Sequence, residues 1–179
     1  MIIILGIAGS GKTTQGQLLA KYLNCPWLST GQILRDKVKD PAVIQKMMAG
    51  EVLDDNILLP LLDAELKRLD ASHQELVLDG SPRTMQQAEW LSGKAKDGEI
   101  KFTAVVHIVI DEETVKKRLL ARQRPDDHQA AIAERFLEYE QAIKPILSYL
   151  KSQALPVHDI DGTPAPEVIA DKIHKILGV

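Results

Sequence analysis

Gly6-Ile-Ala-Gly9-Ser10-Gly11-Lys12-Thr13-Thr14 has the spacing of an anion cradle, in which glycines let successive backbone N–H groups turn toward one oxyanion. Such a pattern holds phosphate where a strand leads in and a helix leads out, because the helix N-terminus adds positive potential. Met1 to Leu5 is a short apolar run rich in isoleucine, and Leu18, Leu19, Tyr22 and Leu23 recur after Lys12 at helical spacing. Both conditions are met, against the alternative of an ordinary glycine-rich turn. Lys12 would then reach the outer phosphates, and Thr13 or Thr14 would offer a hydroxyl to Mg²⁺.

A second group of residues has types that suit the same chemistry. Asp79 closes the apolar run Glu75-Leu-Val-Leu-Asp79, and a carboxylate at the end of a buried strand beside a phosphate loop can support Mg²⁺ or its waters. A plain helix-capping aspartate is the competing reading. Arg35, Arg83, Arg118, Arg122, Arg124 and Arg135 stand mostly at strand-to-helix junctions or near Pro125 rather than along long helical faces. A guanidinium forks onto phosphate oxygens and keeps its charge, which suits transfer of a phosphoryl group between two anions. Any one arginine could equally be a solvated surface charge; the set is harder to explain that way.

The elements that must position these residues alternate. The helix after Lys12 is followed by a short strand ending near Ser29, then a helix opening at Thr30, and helices over about 42–49 and 54–69. Strands are expected at 75–79, 102–110 and 157–160. Helices follow around Gln86 to Trp90, from Asp111 through the arginine cluster, over 128–152 with Pro145 kinking it, and over 166–177; 93–99 reads as a polar loop. Short apolar strands between helices predict an α/β fold, a three-layer doubly wound parallel sheet of about five strands. In such a sheet ligands sit beyond the carboxyl ends of the strands, where Gly6 to Thr14, Ser29 to Arg35 and Asp79 to Arg83 fall.

Composition bounds the rest. The 179 residues, 45% of them hydrophobic, suffice for one domain with its own core. The lone Cys25 allows no internal disulfide, which points to a reducing, cytoplasmic setting, and no cysteine or histidine cluster has zinc spacing. A net charge of −3 gives no general field for nucleic acid, and the opening apolar run is too short to span a membrane and lacks a basic leader.

Taken in order, the phosphate loop, Leu28-Ser-Thr-Gly31 with Arg35, Leu78-Asp-Gly-Ser-Pro-Arg-Thr84 with Gln87, the Arg118 and Arg122 pair, and Arg124-Pro-Asp-Asp127 followed by Arg135 resemble the adenylate kinases and the wider nucleoside monophosphate kinases. The resemblance covers almost the whole chain. It implies a single phosphate-loop kinase domain over 1–179, with a helical monophosphate-binding region at 30–69 and a lid reduced to 122–127. It also implies phosphoryl transfer from ATP to a nucleoside monophosphate, AMP above others, with Mg²⁺ as cofactor and a monomer as the working form.

By matching position, Gly9, Ser10, Gly11, Lys12, Thr13 and Thr14 would hold the ATP phosphates and Arg118 would stack on the ATP base. Arg83, Arg122, Arg124 and Arg135 would surround the transferred group with Lys12. Thr30, Gly31, Arg35, Val52, Leu53, Gly80, Arg83 and Gln87 would take the monophosphate, and Thr13 and Asp79 the metal. The chain departs from the family pattern where Thr13 replaces a glycine, Gln32 an acidic residue and Ser81 an aromatic one. A kinase of another monophosphate or small molecule, and a non-catalytic nucleotide switch, are the alternatives. Gln87 favours AMP, because an amide can pair with an adenine edge.

Overall fold

The computed structural model describes every residue except 123–126. Its centre is β1 (Ile2–Gly6), whose first four residues are buried because helices cover both faces. It pairs in parallel with β3 (Val77–Asp79) on one side and β4 (Ala104–Val109) on the other. β2 (Trp27–Ser29) and β5 (Val157–Asp161) complete a five-stranded sheet of order β2-β3-β1-β4-β5, parallel throughout. The expected sheet is therefore the observed one. Parallel neighbours need crossovers, and the helices supply them.

Alternation along the strands sorts the core into two layers. Ile3, Leu5, Leu78 and Val105 face α4 (Asp55–Arg68), α5 (Met85–Lys96) and α7 (Gln129–Ser152) through Leu62, Leu66, Ala88, Leu91, Ile146 and Leu150. Ile2, Ile4, Val77, Val106 and Ile108 face α1 (Lys12–Leu23) and α8 (Pro166–Leu177) through Leu19, Ala20, Ile169 and Ile173. A smaller cluster joins Ile7 to Val115 and Leu119 of α6 (Glu112–Arg122) and to Ile132 of α7, directly under the phosphate loop. α2 (Thr30–Lys37) and α3 (Pro41–Ala49) precede α4 at the β2 edge, and α3 buries none of its residues. No helix among the described residues is long and apolar enough to cross a membrane.

One local expectation changes. Residues 93–96 continue α5 instead of forming a loop, because Lys94 pairs with Asp63 at 2.6 Å and Glu99 at 2.7 Å, which makes a polar helical end serviceable. Thr30 opens α2 as expected, and its hydroxyl donates to the carbonyl of Asp79 at 3.3 Å. Pro145 lies within α7, a helix of 24 residues.

A polar tie anchors α7 to the sheet. His107 of β4, 8% exposed, places Nδ1 2.7 Å from Asp159 of β5, while its Nε2 meets the hydroxyl of Tyr139 on α7. The carboxylate can only accept, so Nδ1 carries the hydrogen and Nε2 accepts from the phenol. Burial pushes the Tyr139 pKa up, and the hydroxyl keeps its proton. Tyr139→Phe leaves a buried imidazole nitrogen without its donor and is expected to cost about 1–2 kcal/mol of stability in urea unfolding. Leu137→Ala, on the exposed face of the same helix, is expected to cost less than about 0.5 kcal/mol.

Candidate active site

The loop after β1 is shaped by backbone conformations that side chains resist. Gly9 has φ 84°, and a Cβ there would meet Leu119 Cγ at 2.9 Å, so the loop rests directly on α6. Gly11 has φ 101° but nothing within 4 Å of a built Cβ; there the conformation alone demands glycine, and the space beside the helix start stays open. Lys12 folds back over the loop and donates from Nζ to the carbonyl of Ile7 at 2.7 Å, leaving it 8% exposed. Burial lowers its pKa to about 7; Asp79 opposes the shift, and the charges of Arg83, Arg122 and Arg135 reinforce it.

Of the two threonines, Thr13 is the one turned toward β3, donating from Oγ1 to Asp79 Oδ2 at 2.8 Å. A hydroxyl and a carboxylate thus lie side by side at the edge of the loop. Among the described residues no three His, Cys, Asp or Glu side chains form a metal-holding group, so a cation here would complete its shell from phosphate and water. That is the habit of Mg²⁺, and the pair fits it.

Across from the loop stand the residues expected to hold the acceptor. Thr30 is buried against the end of β3, Gly31 lies beside the Arg35 guanidinium, and Arg83 donates from Nε to the carbonyl of Gly80 at 3.1 Å. Arg83 is reached by cleft solvent yet ringed by protein; that crowding lowers its pKa, as does the charge of Arg135, against the pull of Asp79. Arginine retains its charge even so. Val52 is fixed by its N–H donating to Glu138 Oε1 at 3.0 Å, Leu53 is buried, and Gln87 is 1% exposed.

Asp127 organises the arginines. Its side chain is fully buried, and Arg122 grips it with two bonds, Nε to Oδ2 at 2.7 Å and Nη2 to Oδ1 at 2.6 Å. Arg135 approaches the same Oδ1 at 3.3 Å. Arg118 instead donates to the carbonyls of Gly162, at 2.9 Å, and Thr163, at 3.3 Å, beside the loop after β5. Arg124, and most of the short lid expected at 122–127, lies outside the described residues.

One cleft of about 720 Å³ gathers these groups. Gly9 to Thr14, Thr30, Gly31, Arg35, Val52, Leu53, Asp79, Gly80, Arg83, Gln87, Arg118, Arg122 and Arg135 all line it. A family model described as "Adenylate kinase" matches residues 4–155. The chain is 33% identical over 167 residues to an adenylate kinase of Corynebacterium urealyticum, covering 90% of this chain and 91% of that relative. It is also 33% identical over 181 residues to adenylate kinase 1 of Synechocystis, covering 98% and 96%. The adenylate kinase of Archaeoglobus fulgidus is 29% identical over 212 residues, with 98% and 97% covered.

The chain belongs to the adenylate kinase family. It is an enzyme, a nucleoside monophosphate kinase that moves phosphoryl groups between nucleotides. This adenylate kinase also lines its cleft with residues that sequence reasoning passed over. Gln15 is 2% exposed and donates to the carbonyl of Pro166 at 2.9 Å, joining the phosphate loop to the start of α8. Leu34, Met47, Met48 and Leu58 give the cleft an apolar wall beside α2, α3 and α4, and Pro164 and Pro166 also line it. The prolines follow β5 at a strand's carboxyl end, and that position was the available signal. The apolar wall had none, since its residues read as helix core.

The state of Lys12 gives a measurable consequence. With a pKa of about 7 it is largely neutral at pH 8, and phosphates bound beside it would favour the charged form. ATP binding at pH 8 is therefore expected to take up about one proton, seen in calorimetry as a binding enthalpy that varies with the buffer's ionisation enthalpy; at pH 6 the uptake should nearly vanish. Equal uptake at both values would remove Lys12 as its source.

Proposed function

We propose that the enzyme transfers the γ-phosphoryl group of ATP to AMP, giving two ADP, with Mg²⁺ as cofactor. The observation that carries this reading is one cleft with a phosphate loop on one side, Thr30, Arg35, Arg83 and Gln87 on the other, and arginines between them. ATP would occupy the side of Gly9 to Thr14 with its base toward Arg118, and AMP the side of α2 to α4. We read the working form as a cytoplasmic monomer, in keeping with a single, half-buried cysteine.

The chemistry needs neither a nucleophilic side chain nor a general base. An oxygen of the AMP phosphate is already anionic; it bonds to the γ-phosphorus while the bond to the β–γ bridging oxygen breaks, and the electron pair leaves with ADP. Arg35 and Arg83 orient the attacking phosphate, and Lys12, Arg122 and Arg135 offset the charge spread over the moving group. Mg²⁺, held by Thr13 and Asp79, would neutralise charge on the ATP phosphates. Asp127 fixes the two lid-side arginines so that they meet the substrate already oriented.

A coupled assay over AMP, GMP, CMP, UMP and a hydroxyl acceptor such as a sugar tests the assignment, with AMP expected to give the highest kcat/KM. Turnover of the sugar and not of AMP would move the enzyme to the other small-molecule kinases. Arg83→Ala is expected to weaken AMP binding about tenfold or more while changing ATP binding by less than about threefold, read from two isotherms. Equal losses would take Arg83 out of the acceptor site. Asp127→Asn keeps the shape but removes the charge that holds Arg122 and Arg135, and transfer is expected to slow by about 10²-fold with both nucleotides saturating.

A further inference from the structure

α3 buries none of its residues, so core packing does little to fix its place. Ile44, Met47 and Met48 of this helix nevertheless line the cleft. At its carboxyl end the last carbonyls need donors from outside the helix. Those of Lys46 and Met47 accept from the N–H groups of Glu51 and Gly50, both at 3.2 Å, as the chain turns through Gly50 with φ 92°. That of Met48 lies 3.1 Å from Nε2 of His128, which caps α7 from 80 positions further along the chain.

The cap decides the tautomer of the ring. The N–H of Ala131 donates to Nδ1 of His128 at 3.3 Å, so Nδ1 is bare and the hydrogen of the neutral imidazole stands on Nε2. Nε2 then donates, and the Met48 carbonyl accepts. One ring thus closes the start of α7 and the end of α3 together. Beside it, a Cβ at Gly50 would stand 2.7 Å from the carbonyl of Ala131, and the N–H of Val52 donates to Glu138, so α7 faces this whole stretch at short range. His128 also follows directly on Asp127, which holds Arg122 and Arg135. A single peptide link separates the anchor of those arginines from the hold on α3.

We propose that His128 is a positioning residue of the acceptor side: from α7 it grips the exposed end of α3 and sets Met47, Met48 and the following Val52 and Leu53 at a fixed distance from Arg122 and Arg135. The proposal rests on the reading of this wall as the acceptor's, given above. His128 needs to touch no nucleotide in this role. A helix without a buried residue has little packing to hold it, so a single hydrogen bond at its end is a substantial part of what does.

Two amide variants separate the two bonds of the ring. His128→Asn puts an oxygen where Nδ1 stands and stops short of Met48; His128→Gln puts an N–H donor where Nε2 stands and gives up the close cap. The KM for AMP is expected to rise about three- to tenfold in His128→Ala and His128→Asn and to return to within about twofold of the wild type in His128→Gln, with the KM for ATP within about twofold throughout. Amide hydrogen exchange over 41–53 is expected to follow the same order, about fivefold faster in the Ala and Asn variants and near the wild-type rate in the Gln variant, while the amides of β4 keep theirs. If capping α7 is all that His128 does, the order reverses, with the Asn variant normal and the Gln variant impaired, and the proposal falls. Unchanged exchange and unchanged KM in His128→Ala would overturn it too, and the acceptor reading would stand. Faster exchange over 41–53 with the KM raised for ATP and not for AMP would put α3 on the ATP side and bring down both.

Discussion

Positive charge gathered in a concavity is the constraint on which the rest of this structure depends. Burial is the larger cause of the lowered pKa of Lys12 and of Arg83, and these two lie close enough to Arg122 and Arg135 that the arginine charges lower the lysine's further, as Arg135 does that of Arg83. Without phosphate the fold must carry that repulsion itself. It does so unequally: the one group able to shed its proton has its pKa brought to about 7, and Asp127 is buried as counter-charge to those that cannot. A fully buried carboxylate is costly alone, but one held by two bonds from Arg122 with a third from Arg135 is compensated.

α7 carries this arrangement to the rest of the molecule. Within one turn Arg135 meets Asp127, Glu138 accepts from the N–H of Val52, and Tyr139 reaches His107 in the sheet. One helix therefore connects the arginines of the cleft, the segment between α3 and α4, and the core. Glu138 works from a partly buried place where burial raises its pKa against the lowering effect of the Val52 N–H and the Arg83 charge. The same helix supplies Ala131, whose carbonyl would lie 2.7 Å from a Cβ at Gly50, so the loop after α3 packs tightly against it.

The fold was legible because its signals are local: apolar runs between helical periods dictate a parallel layered sheet wherever they alternate. The cleft was legible because strand ends converge there, and the types at those ends, Lys12, Asp79, Arg83 and Gln87, name their chemistry. Contacts over long sequence separation were not. His107 finds Tyr139 and Asp159 at separations of 32 and 52 residues, and no period in the chain foretells that meeting. The choice between Thr13 and Thr14 depends on the phase of α1 against β3, which composition does not contain. The end of α5 reads as a loop because Ser92 and Gly93 have turn-like types, whereas the ion pairs of Lys94 that support it come from α4 and from beyond the helix.

Gln87 shows how much of a side chain's bonding the residue type leaves unsaid. An amide has two donors and two acceptor sites, and the sequence treats all four as available to a base. The fold spends three of them on Ser81, Arg83 and Asp55. That expenditure gives rigidity, because an amide with fixed partners loses little freedom when substrate arrives and the cost of ordering it is met during folding. It also leaves the oxygen saturated, so that an N–H of Nε2 is what this amide has left for the cleft it lines. What the amide can present to the cleft is thus set by Ser81, Arg83 and Asp55 behind it as much as by its own chemical type.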